Sequence, residues 1–162
     1  MTVTATGVRA VAAGKLATMV SQSATFIART AALDATGALQ HIHYPWLDEN
    51  RADKRPCAII THLGLRGDLT STMTYDRGGS IRLRLVDTAR YEDKADAEND
   101  FTNFCDGVLA EILENSRTNT TGLLTIQSHE DDGVMLIDPT ENAEWANHYA
   151  IDITLDWAPF QG

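Results

Sequence analysis

The stretch DKADAENDFTNFCDGVLAEILEN, Asp93–Asn115, decides how the chain is read. Phe101, Phe104, Cys105, Val108, Leu109, Ile112 and Leu113 recur at steps of three and one, which gathers them on one face of an α-helix. Asp93, Asp96, Glu98 and Asp100 crowd its first turns, where carboxylates favour the positive end of the helix dipole. Such a long apolar face has to lie on a sheet, and the flanking sequence supplies strands.

Upstream, Ser80–Asp87 alternates, with Ile81, Leu83 and Leu85 inward against Arg82 and Arg84 outward. Near the end of the chain, YAIDITLDW places Tyr149, Ile151, Ile153, Leu155 and Trp157 on one face. Ala150, Asp152, Thr154 and Asp156 fall on the other. That regularity marks a half-buried strand of an antiparallel pairing. Cys57–Leu63 (CAIITHL) is nearly apolar and β-branched, as a central strand should be. In LQHIHYPWL, Ile42, Tyr44 and Trp46 alternate with His41, His43 and Pro45, and the proline makes this an edge strand. Leu123–Gln127 and Val134–Ile137 read as short strands around a solvated turn at SHEDDG. From Val8 to about Arg29, Val8, Val11, Ala12, Leu16, Met19, Val20, Phe26 and Ile27 mark an amphipathic helix. Ser21, Ser23 and Thr25 weaken its second half, so a break is expected there.

Between two strands, Gly64–Gly79 (GLRGDLTSTMTYDRGG) is a long excursion bounded by glycines, suited to a protruding hairpin or arm. The expectation is therefore an α+β fold within one domain over residues 1–162. It has a single mixed, mostly antiparallel sheet, two amphipathic helices on one face and a protruding hairpin or arm.

Composition narrows the function. Thirteen Lys and Arg against 23 Asp and Glu give a formal charge of −10, which argues against a DNA-gripping face. No apolar run is long enough to span a bilayer, so no membrane partner is expected. The N-terminal stretch lacks the basic-then-apolar order of a secretion signal, which suggests a cytoplasmic setting. Cys57 and Cys105 read as two reduced core thiols, although sequence does not give their distance.

The most site-like pair is His41-x-His43, which a strand would point to one side. His62, with Asp48 or Glu49, could complete a metal site and a small metal-dependent enzyme. No carboxylate holds a fixed ligand spacing, so the expectation is no metal and no cofactor. His129–Asp132 reads as turn residues, while Asp152/Asp156 and Asp138/Glu141 show nothing that would perturb a carboxylate. No nucleophile elbow, phosphate loop, GxGxxG or HExxH is present, so the chain is read as a non-enzyme without catalytic residues.

The order of elements, more than any motif, resembles the tail terminator and neck proteins of long-tailed bacteriophages. The matching features are the helix from Val8, the excursion Gly64–Gly79, the helix Asp93–Asn115 and the strand Tyr149–Trp157. The resemblance implies a virion protein made in the host cytoplasm. It would form a homo-oligomeric ring, commonly of six subunits, that terminates the tail tube and joins it to the head. Its partners would be tail-tube and neck or connector proteins, with DNA passing an acidic lumen without specific binding. Arg66, Leu69, Met73, Tyr75, Arg77, Arg82 and Arg84 are the expected oligomer interface, the arginines facing a partner's acidic residues. Another tail-tube, baseplate or connector subunit is the alternative of the same kind.

Overall fold

The computed structural model describes residues 7–44, 55–65, 78–89, 94–118, 124–137 and 147–158. Among them are four helices, α1 (Val8–Ser21), α2 (Ala24–Thr30), α3 (Ala35–Ala38) and α4 (Lys94–Thr118). The strands are β1 (Ile42–His43), β2 (Cys57–Leu65), β3 (Gly79–Ala89), β4 (Thr125–Ile137) and β5 (Asn147–Ala158). The strands form one mixed sheet in the order β1-β2-β3-β5-β4, an α+β fold. Only β1–β2 is parallel among neighbours.

The expected long helix is present, and its apolar stripe does what its spacing requires. Ala97, Phe101, Phe104, Cys105, Val108 and Ile112 are buried in one cluster with Ile81, Leu83 and Leu85 of β3 and Tyr149, Ile151, Ile153, Leu155 and Trp157 of β5. Leu109 lies at the rim of this cluster and is only partly buried. Aromatic rings join the layers: Phe101 stacks on Tyr149 at 5.6 Å and meets Phe104 at 6.0 Å, and Phe104 stacks on Phe26 of α2 at 6.4 Å. The last turn of α4 is tied down where Ile126 N donates to Ser116 Oγ at 2.6 Å.

The N-terminal helix breaks where its hydroxyl residues suggested. Gln22 closes α1, and Ser23 caps α2 by accepting from Phe26 N at 3.1 Å. Glu111 of α4 reaches the same turn, accepting from the Ser23 and Thr25 hydroxyls and from Thr25 N. The buried residues of α1 are Ala12, Ala13, Leu16, Ala17, Met19 and Val20, whereas Val11, expected on the apolar stripe, is 44% exposed. Small alanines let the helix approach closely, so the buried face is displaced from the large residues.

Two strand expectations need correction. Residues Leu39–His41 form a 3-10 turn and β1 has only two residues, so LQHIHYPWL is not a strand of that length. The stretch SHEDDG is not a turn between two strands but the middle of one 13-residue strand, β4. One bulge between Ile126 and Ser128 and another between Asp131 and Val134 absorb the extra residues. Gly133, at φ 80°, supplies the left-handed residue of the second bulge, and its N–H donates to Asp131 Oδ1 at 3.0 Å.

Helix α4 joins β3 to β4, which run parallel to each other, and β5 is inserted antiparallel between them. This is a split β-α-β unit. Residues Arg66–Arg77 of the excursion lie outside the described residues. They link strands that pair from Cys57↔Val86 to Leu65↔Gly79, so the excursion joins two adjacent antiparallel ends.

Two substitutions test this packing. Phe104→Ala should cost about 3–5 kcal/mol in a urea melt, the range for deleting a buried aromatic; a loss below roughly 1 kcal/mol would contradict the buried stripe. Gly78 and Gly133 both have φ 80°, but a Cβ at Gly78 would lie 1.7 Å from the Trp157 carbonyl oxygen, whereas Gly133 has open space. Gly133→Ala should therefore cost about 1–2 kcal/mol, the left-handed penalty alone, and Gly78→Ala clearly more in the same assay.

Candidate functional site

Strand alternation splits the chemistry of the sheet between two faces. One face carries the helices. On the other lie Ser80, Arg82, Arg84 and Val86 of β3, Cys57, Ile59 and Thr61 of β2, and Ala150, Asp152, Thr154 and Asp156 of β5. At one end of this second face, Cys57, Ile59, Val86 and Ala150 form a separate buried apolar cluster. The rest is a set of polar rows running across the strands.

Each row follows from direct register. Arg84 sits opposite Asp152 and binds it with both arms of the guanidinium, Nε to Oδ1 at 2.6 Å and Nη2 to Oδ2 at 2.7 Å. Ser80 sits opposite Asp156 and donates to it at 2.5 Å, while Ser128 of β4 donates to the other oxygen of Asp156 at 2.7 Å. Between these rows lies Thr61–Arg82–Thr154. There the Arg82 Nε is buried without a hydrogen-bond partner. An unsatisfied buried donor costs about 1–3 kcal/mol, and more when charged, so it calls for an explanation.

Two expectations change here. Arg84 does not wait for a partner's carboxylate, because Asp152 already satisfies it in a fork-to-fork pair. Asp152 is not on an exposed side either; it is 6% exposed. Of the expected interface, Arg66, Leu69, Met73, Tyr75 and Arg77 lie outside the described residues, and Arg82 alone stands on the sheet with an open valence. Asp48, Glu49, Asp138 and Glu141 also lie outside the described residues.

The histidines are not brought together. His41 belongs to the 3-10 turn and its Nδ1 is 3.2 Å from the Pro56 carbonyl oxygen. His43 pairs with Ile59 and so shares the second face, whereas His62 pairs with Ile81 and belongs to the helix-bearing face. The sheet stands between them. Among the described residues no group of three or more His, Cys, Asp or Glu side chains is placed to hold a metal ion. His129–Asp132 is exposed along β4.

Sequence reading missed a second charged cluster beneath the helices. Arg29 of α2 bridges Asp87 of β3 and Asp100 of α4, the latter at 2.7 Å, with its guanidinium 5.1 Å above the Phe104 ring. Burial raises the Asp87 carboxyl above the ordinary aspartate range, and the Arg29 charge offsets this only in part. Burial also disfavours the Arg29 charge, but its two carboxylates outweigh that and raise its pKa. A perturbed carboxyl can mark a reactive site. Here Oδ2 of Asp87 takes Arg29 and Oδ1 accepts from Thr88 N at 2.6 Å, so the group is spent on structure. A signal was present: Asp87 has the same parity as Ile81, Leu83 and Leu85, an acid on the apolar side that needs a cation.

Neither cysteine is in a disulfide, and both are buried. Cys57 belongs to the cluster on the second face and Cys105 to the core under α4, so the sheet separates them. Burial, then the neighbouring Asp106, pushes the Cys105 thiol well above its ordinary range.

No protein-family model matches this chain, and no curated protein matches it.

Two measurements follow from this geometry. A thiol-reactive chromogen should label neither cysteine in the folded protein and both after denaturation; a fast native thiol would contradict the burial. Asp152→Ala should destabilise by roughly 2–3 kcal/mol, less than for a fully buried pair because Arg84 is partly exposed. Arg84→Met combined with Asp152→Leu should recover most of that loss in the same denaturation assay.

Proposed function

We propose that this chain is a structural subunit of the tail or neck of a long-tailed bacteriophage. Copies of it form a homo-oligomeric ring that ends the tail tube and joins it to the head. The observation that carries the reading is the outer edge of the sheet. Strand β4 is 13 residues long and, among the described residues, pairs only through β5. Its first half has protection against stray pairing in the form of two bulges and the exposed charges Glu130, Asp131 and Asp132. Its second half exposes Met135 at 37% and Leu136 at 57%, one on each side of the strand. An apolar edge of this kind fits a subunit that meets another chain.

The remaining features agree with that role. The charged side chains of the helix layer and most of those on the second face are committed within the chain. The formal charge of −10 suits a conduit wall, which repels DNA phosphates and lets the duplex pass without sticking. The excursion Gly64–Gly79 is long enough to reach a neighbouring subunit or the tube.

Mass photometry of the purified protein, with negative-stain microscopy alongside purified tail tubes, tests the reading. The expected result is one closed oligomer that caps tube ends. A monomer at micromolar concentration that ignores tubes would overturn it, and open tubes or fibres would move the chain to another virion component. Because Leu65 pairs with Gly79, a short Gly-Ser turn can replace residues 66–77 without stretching β2 or β3. That variant should keep its fold by circular dichroism and lose ring formation or tube attachment. Normal capping by the shortened chain would place the contact elsewhere.

A further inference from the structure

We infer that Arg82 is the receptor in a head-to-tail contact between copies of this chain, taking a carboxylate from the acidic run Glu130–Asp132 on the β4 edge of a neighbour. This rests on the ring reading above and deepens it by naming the charged pair that would join two subunits.

The starting point is an imbalance in the middle of the second face. The row on one side of Arg82 closes on Arg84–Asp152, and the row on the other closes on Ser80–Asp156–Ser128. Both oxygens of each aspartate are engaged, so neither has a free edge to offer Arg82. The Arg82 Nε is buried and unpartnered, and hydroxyl residues Thr61 and Thr154 flank it on the adjacent strands. A guanidinium between two hydroxyls is a donor-rich site that matches a carboxylate.

The same chain does not fill it. Glu130 is in register with Thr154 and so lies in the same row, but it stands two strands from Arg82, about 10 Å by strand spacing, and forms no pair with it. Glu130, Asp131 and Asp132 are all exposed, on a strand at the margin of the sheet. Cation and acids therefore occupy different parts of one surface. Their mutual satisfaction joins unlike patches on successive copies, the type of contact that propagates into a ring or filament. A chain with ten more acids than bases offers carboxylates to this site more readily than it offers itself to phosphate.

Charge reversal tests the contact in the full-length protein. Arg82→Glu should raise the concentration at half-assembly by about tenfold or more, as should Glu130→Lys combined with Asp132→Lys. Each variant alone should remain monomeric at the wild-type assembly concentration. Mixed in equal amounts, they should assemble, because each acid-bearing edge then finds an arginine and each lysine-bearing edge finds a glutamate. Arg82→Gln, which keeps bulk and drops charge, serves if the reversal unfolds the chain, and should weaken assembly in the same direction. Failure of the mixture to assemble, or normal assembly by Arg82→Glu and Arg82→Gln, overturns the contact while leaving the ring reading intact. A wild-type protein that never assembles overturns both. A fluorescent DNA duplex gives the remaining arm: if Arg82→Glu abolishes duplex binding and leaves assembly unchanged, the anion is phosphate and the contact is wrong.

Discussion

Strand β5 is the last described element of the chain, yet it enters the sheet between two strands that precede it. It pairs with β3 without interruption from Gly79↔Trp157 to Ala89↔Asn147, and with β4 on its other side. Until it arrives, β3 and β4 have no common neighbour and α4 has only half its bed. Five of its side chains, Tyr149 to Trp157 at every second position, line the core that α4 covers. The split β-α-β unit is thus completed from its far end, and the closure of that long loop must be repaid by burial of the α4 stripe.

Strand β3 is held to one register by charge on both of its faces. Asp87 must meet Arg29 beneath the helices, and Arg84 must meet Asp152 on the opposite side. Slipping β3 by one residue would exchange the two faces and bury both charges against apolar neighbours. Replacing such pairs by apolar residues is often neutral or stabilising for a protein, so their contribution lies in specifying one pairing as much as in strengthening it. The Phe26–Phe104–Phe101–Tyr149 series runs through the same region and packs α2, α4 and β5 together. Arg29 lies over the Phe104 ring, so the charged cluster and the aromatic one constrain each other.

The consequence for function is that chemistry-bearing side chains are concentrated where they stabilise architecture. What the fold leaves outward is a margin: a long edge strand that changes from acidic to apolar along its length, and a second sheet face with one arginine unmatched among closed rows. Such a division suits a part whose work is to fit against other parts. It is a poor basis for substrate chemistry, in which polar groups converge on a cavity.

How much of this could be read beforehand depends on the range of the forces involved. Helix α4 and strands β3 and β5 were legible because their periods, 3.6 and 2, are written in adjacent residues, and the break at Ser21–Ser23 was legible because a cap needs its hydroxyl at one fixed place. The unbroken β4 was not, since a glycine that would open a turn in isolation becomes a bulge once β5 offers a ladder to rejoin. Nor was the two-residue β1, where the 3-10 turn at Leu39–His41 prevails over the alternation of the sequence. Arg82 and Arg84 are alike in pattern and share a face, so sequence alone marks both as outward cations. Which of them is spent depends on a residue 68 positions away, brought opposite Arg84 by strand pairing. Local order determined the elements and their inward faces; the register of distant strands decided which charges are buried, which are matched and which one is left, because only a completed sheet brings those partners within reach.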